Sequence, residues 1–272
     1  TAAMPLNPSR VHSLKKVFQE GFVVHDIAEP LISFDGWSPV DRVRDFMVAG
    51  KYEVLGIRRE GLVEGIVELD ALEDGICQDC MRPFEPELVI SESTPLADVV
   101  LRLKNQRYLF VSILGRIGGI VSRSDLEKPP VRMWLFGMVT LIEMRFSRMI
   151  DKLCPDGTWR QFLSDGRINK AEDLLAERRR RNQKLGLLDC LQFSDKGQIF
   201  ARNSELRDLT QFKSRKQIED AFKGVERLRN NLAHAQDIHS DWDMIVLLAE
   251  NLERVVEGSQ GFRELEGKKE WN

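Results

Sequence analysis

The sequence predicts a two-module chain, an α/β half over residues 1 to about 130 joined to an all-helical half. Three observations predict this. From Val23 to Leu126, short apolar runs of strand length alternate with amphipathic segments and with turns rich in glycine or proline. The pattern occurs twice. After Pro129-Pro130 the strand signals stop and helical periodicity takes over. The 272 residues are enough for two ordinary cores. We divide them into a lead-in (1–22), a duplicated α/β region (23–130), a helical bundle (131–258) and a charged tail (259–272).

In the first copy, Ile32-Ser33 is an extended entry and Ser38-Pro39-Val40 starts a helix that runs to about Ala49. The hydroxyl is expected to cap free amides, and the proline to sit in the first turn. Tyr52 to Ile57 and Leu62 to Leu69 flank Arg58 to Gly61 and read as two strands joined by a tight turn. The second copy repeats this order. It has Val89-Ile90, then Thr94-Pro95-Leu96 and a helix to about Lys104, then Tyr108 to Leu114 and Ile117 to Ser122 around Gly115-Arg116. In the second half, helical spacing covers Trp134 to Leu153, Asn169 to Leu188, Ser214 to Ala233 and Asp241 to Val256. The third is the clearest, with Ser214 as cap, Gln217 as reciprocal partner and an apolar stripe through Ile218, Phe222, Val225, Leu228 and Leu232.

Composition narrows the function classes. Hydrophobic residues make up 42% and charged residues 31%, the balance of a folded cytoplasmic protein. The longest apolar stretch, Met133 to Ile142, falls short of the roughly 20 residues that span a bilayer, and the start of the chain lacks the pattern of an export signal. No membrane partner is expected. Four cysteines with only Cys77 and Cys80 close together make neither a disulfide framework nor a four-ligand zinc site, so no metal is expected. Residues 1–130 carry 15 basic and 20 acidic groups (−5) and residues 131–272 carry 25 and 23 (+2), which favours the second half for polyanion binding. The run Arg178-Arg179-Arg180-Arg181 is a candidate RNA phosphate contact; as a solvated helix face it would need no ligand.

The second copy closes with Gly119-Ile120-Val121-Ser122-Arg123-Ser124-Asp125. The tandem unit with this ending resembles a pair of CBS domains, over residues 23 to about 128. The resemblance implies an adenosine-nucleotide site, with AMP, ADP or ATP as a regulatory ligand. Ser122 and free amides would meet phosphate, Asp125 the ribose hydroxyls, and Gly119 would allow close backbone approach. It also places Arg107 against phosphate and the backbone near Ile90 against adenine. The first copy ends Gly65-Ile66-Val67-Glu68-Leu69-Asp70-Ala71, with Glu68 in place of the hydroxyl and Ala71 in place of the acid. One working site per chain is therefore expected. Without a ligand, the same residues read as a buried strand followed by a helix cap.

The clearest helix ends in Arg229-Asn230-Asn231-Leu232-Ala233-His234. A bundle whose late helix carries Arg-[Asn/Asp/His]-x-x-x-His resembles the HEPN family, which contains many metal-independent ribonucleases, over residues 131 to 258. The resemblance implies His234 as base toward a ribose 2′-hydroxyl, Arg229 against the charge on the phosphorane, and Asn230 beside them. Products would be a 2′,3′-cyclic phosphate and a 5′-hydroxyl, with no cofactor for catalysis. Five helix positions turn by about 140°, so Arg229 and His234 of one chain do not converge, and a homodimer is expected to complete the site. A protein antitoxin or a nucleotidyltransferase is a further partner the family implies, in toxin or defence settings.

The sequence thus points to a nucleotide-regulated endoribonuclease. The alternative is a non-enzymatic nucleotide-sensing regulator whose bundle dimerises or docks a partner. In that case His234 stabilises a helix C-terminus and Arg229 pairs with Glu226 or Asp237.

Overall fold

A computed structural model describes residues 16–210, 212 and 214–251. They form two compact units, residues 20–131 and residues 16–19 with 132–251. The expected residues 259–272 and the end of the last helix lie outside the described residues.

The first unit contains two four-stranded sheets. Strands β2 (Ser33–Asp35), β3 (Val54–Arg59), β4 (Leu62–Glu68) and β5 (Arg82–Pro83) lie side by side in that order, and the other sheet runs β1 (Glu29–Pro30), β8 (Arg116–Ser122), β7 (Tyr108–Ile113), β6 (Val89–Ser91). In each, a short strand runs parallel to the first arm of a hairpin: Ser33 faces Gly56, and Val89 faces Phe110. The hairpins turn through Glu60-Gly61 and Leu114-Gly115, all four with positive φ, as a tight two-residue turn demands. Each hairpin carries one register shift, at Ile57/Arg58 and at Val111/Ser112. The duplication read from the sequence therefore extends to turn and bulge.

The two copies exchange their leading segments. Dipeptide β1, which precedes the first copy, pairs antiparallel with β8 of the second, Pro30 opposite Gly119; dipeptide β5, which precedes the second copy, pairs with β4 of the first, Pro83 opposite Gly65. The helices are closed the same way. Between helix α1 (Val40–Gly50) and helix α3 (Leu96–Leu103) the one α-helical element is the single turn α2 (Cys77–Cys80). The first amide of α1, Val40 N, donates to Gly75 O at 3.0 Å, and that of α3, Leu96 N, to Phe22 O at 3.0 Å. This corrects the expected caps. Pro39 and Pro95 occupy the cap position itself, where a proline side chain offers no acceptor, and a distant carbonyl satisfies the amide instead.

One core joins Val40, Val43, Met47, Leu55, Ile57 and Val67 with Cys77, and another joins Leu31, Val54 and Ile66 to Tyr108 and Phe110. The second core draws on both copies.

The second unit is helical: α4 (Pro129–Leu153, here from Arg132), α5 (Asp165–Arg180), α6 (Phe193–Arg202), α7 (Ser204–Asp208), α8 (Arg215–Ala233) and α9 (Trp242–Glu250). Pro129 and Pro130 open α4, where the first-turn amides need no partner, and the two units divide just after them. Residues 16–19 belong to this unit instead of standing as a lead-in: Trp134 Nε1 donates to Phe18 O at 3.1 Å. Helices α6 and α7 have no counterpart in the sequence reading. Phe146, Phe193, Phe200 and Phe222 form the centre, with Phe146 stacked on Phe222 at 4.6 Å. Among the described residues no helix is long and apolar enough to cross a membrane.

Candidate functional site

A cleft of about 1120 Å³ opens in the first unit, lined by both copies. The second copy supplies Arg107, Tyr108 and the turn from Ser122 to Asp125; the first supplies Lys51 to Leu55. The turn exists because β8 ends at Ser122, whose extended backbone starts a short 3-10 helix, Arg123–Glu127. Asp125 is 8% exposed, and one of its oxygens accepts from Ser122 N at 2.7 Å and from Ser122 Oγ at 3.1 Å. The other faces Lys128 Nζ at 2.9 Å. Lys128 also holds Glu29, so an arm from the first copy's lead segment is tied to the second copy's motif. Burial works against the Lys128 charge, but its bonds to Glu29 and Asp125 outweigh that and raise its pKa above the ordinary lysine value.

Of the five predicted nucleotide contacts, Ser122, Asp125 and Arg107 line this cleft. Gly119 and Ile90 do not. A Cβ on Gly119 would meet Val111 Cβ at 3.1 Å and Glu29 O at 3.5 Å, so the close approach it permits is that of neighbouring strands. Ile90 is buried in β6 opposite Val111. Ile120, one residue past the glycine, faces the cleft instead.

The equivalent place in the first copy differs. Val54 opposes Glu68 as Tyr108 opposes Ser122, so Glu68 holds the position of Ser122. Its carboxylate accepts from the Tyr108 hydroxyl and pairs with Arg82 on β5. These residues border a cavity of only about 200 Å³. Burial raises the Tyr108 phenol above its ordinary pKa, against Arg82 and Arg107, which lower it.

In the helical unit, Arg229 and Asn230 are in contact, Nη2 to Oδ1 3.4 Å. His234 is exposed just past the end of α8, its amide donating to Asn230 O at 3.0 Å. The ion pair of Arg229 is with Glu143 on α4, at 3.5 Å, rather than with Glu226 or Asp237. Glu143 also binds the buried Lys196 at 3.1 Å, so one carboxylate bridges two cations. Two residues that sequence reasoning passed over fix this helix end. Arg227 and Asn231, one turn apart, both donate to the buried carboxylate of Asp241, at 2.5 and 2.7 Å. Arg132 donates to Asn231 O and Gln236 O at 3.0 and 2.9 Å. The i, i+4 spacing of Arg227 and Asn231 was the only available signal. Arg178, Arg179 and Arg180 form the last turn of α5 and Arg181 its C-cap, where cations favour the helix dipole; Arg181 pairs with Glu177 at 2.6 Å.

Comparison with known proteins finds no matching family model and no matching curated protein. Among solved structures, the chain is similar to CBSX2 in complex with AMP, at 25% identity over 39% of this chain and 93% of that one, TM-score 0.34. It is similar to CBSX2 from Arabidopsis thaliana at 21% over 39% and 91%, TM-score 0.34. The CBS domain of a bacterial CNNM/CorC family Mg2+ transporter in complex with ATP matches at 14% over 45% and 95%, TM-score 0.34.

Proposed function

We propose that residues 20–131 form a CBS-type pair that binds one adenine nucleotide in the larger cleft, and that the helical unit responds to it. The observation that carries this is the cleft itself, which presents Ser122, Asp125 and Arg107 together and is as large as the roughly 300–1,000 Å³ of small-molecule sites. The Asp125 oxygen that faces Lys128 retains a lone pair for a ribose hydroxyl, while the other already accepts two bonds from Ser122. Titration calorimetry with AMP, ADP and ATP tests it. One equivalent bound by the parent and none by Asp125→Ala supports the site, and no binding of any of the three refutes it.

For the helical unit, the reading is a HEPN-type, metal-independent endoribonuclease acting as a homodimer. What favours it is that Asn230 and His234 lie exposed one turn apart, with Arg229 held against Asn230. His234 would take the 2′-hydroxyl proton, Arg229 would meet the phosphorane, and Arg178 to Arg181 would hold RNA phosphates. Glu143 competes with phosphate for Arg229. The opposing reading is a docking bundle in which Glu143 and Arg229 are structural. Incubating labelled RNA in EDTA with the parent and His234→Ala, with and without AMP or ATP, separates the two. Cleavage to cyclic phosphate by the parent alone supports the nuclease, and no cleavage with any nucleotide supports the docking bundle.

A further inference from the structure

We infer that the first copy retains a second anion-binding cleft that Glu68 closes from within, its carboxylate standing where a ligand's phosphate would. This rests on the nucleotide reading of the larger cleft and adds a latent site to it. The internal repeat supplies the first argument. Ile66 and Glu68 on β4 are equivalent to Ile120 and Ser122 on β8, and Arg82-Pro83 pairs with β4 in the register that Glu29-Pro30 adopts on β8. The two clefts are therefore built from matching parts. They differ in capacity, about 1120 Å³ against about 200 Å³.

The second argument is chemical. Glu68 is bound by a guanidinium and a phenolic hydroxyl, the donors that recognise a phosphate oxygen. Arg82 stands where the open cleft has Glu29, so this side of the molecule carries a cation that the internal carboxylate satisfies, with Glu85 also lining the cavity. Replacing Glu68 with serine removes that anion, restores the hydroxyl of the open site and releases Arg82 and Tyr108 toward solvent. What the new site lacks is the ribose acid, since Ala71 stands where the second copy has Asp125. Its affinity is expected to fall below that of the parent site. Adding Ala71→Asp should tighten it by about tenfold, the worth of one hydrogen bond to a charged acceptor.

The test is the stoichiometry of AMP binding to the full chain by calorimetry, for the parent, Glu68→Ser, Glu68→Thr and Glu68→Ser/Ala71→Asp, each first checked for a cooperative melt. The expected result is one more equivalent in the Glu68 variants than in the parent, whatever the parent binds. A rise from one to two supports both readings. A rise from none to one supports the latent site and refutes the parent site. A parent that binds two equivalents, or folded serine and threonine variants that bind no more than the parent, overturns the inference.

Discussion

The motif glycines give the sharpest test of how the repeat is built. Alanine at Gly65 would put a methyl group 2.5 Å from Arg82 O and 2.6 Å from Met81 Cγ, whereas alanine at Gly119 would put it 3.1 Å from Val111 Cβ and 3.5 Å from Glu29 O. At Gly65 the obstacle is backbone held in a ladder, so β5 must move by most of an ångström and weaken its pairing with β4. Overpacking of this kind costs about 1–3 kcal/mol, and one weakened backbone bond about 1 more. At Gly119 a shift of a few tenths of an ångström suffices, and at both positions the stiffer unfolded chain returns about 0.4–1 kcal/mol. We expect Gly65→Ala to cost about 1–3.5 kcal/mol and Gly119→Ala less than about 1. In a unit of this size, about 4 °C accompanies each kcal/mol, so calorimetry should show a fall of roughly 4–14 °C for the first and under about 4 °C for the second. Gly119→Ala should also retain nucleotide binding, since strands rather than ligand fill the space around Gly119. Equal destabilisation, or loss of AMP binding in Gly119→Ala, would refute the reasoning.

Three further outcomes are expected. Burial raises the thiol pKa of Cys77, Cys154 and Cys190, so these stay protonated at pH 8, while Cys80 is only half-buried; peptide mapping after iodoacetamide should find Cys80 alkylated first, and even labelling of all four would count against the packing. Gly197→Ala would place a methyl 2.7 Å from the Phe222 ring and should cost about 1–3 kcal/mol despite alanine's better helix propensity; Gly197→Ala/Phe222→Leu should recover part of it in a double-mutant cycle, and strict additivity would show that the two are not in contact. The raised pKa of Lys128 means that its contribution is complete below the ordinary lysine value of 10.5 and is lost as pH rises through the folded value. The stability difference between the parent and Lys128→Met should therefore be flat from about pH 6 to 9 and shrink only above about pH 10.5; a difference that shrinks in acid before the carboxylates titrate would overturn the assignment.

Local patterning carried much of the fold. The hairpins were legible because Glu60-Gly61 and Leu114-Gly115 punctuate apolar runs, and α8 because its stripe from Ile218 to Leu228 is buried throughout. What escaped was set by partners far along the chain. Glu29-Pro30 and Arg82-Pro83 are two-residue strands with no period to read, and their pairing is fixed by the glycines they face. The caps of α1 and α3 come from carbonyls of the other copy's lead segment, so the serine and threonine beside each proline misled. Helix α6 was hidden by Gly197 at its centre, a residue needed for the approach of Phe222 rather than for breaking the helix. The partner of Arg229 is distant too: it is Glu143 on another helix, where nearness along the chain had suggested Glu226 or Asp237.

The exchange of arms explains why the two motifs diverged in company with their arms rather than alone. Arg82 on the second arm makes Glu68 tolerable, because the carboxylate finds a cation already placed beside it. On the other side the arm carries Glu29, and its charge is met by Lys128, which also neutralises Asp125. A glutamate at position 122 would add a third carboxylate beside Glu29 and Asp125, which already share Lys128, so the serine there suits the arm as well as a ligand. Each motif thus depends on residues that precede the opposite copy. Neither copy can complete its sheet, its helix cap or its charge balance alone, and the first unit is expected to fold and to bind as a whole.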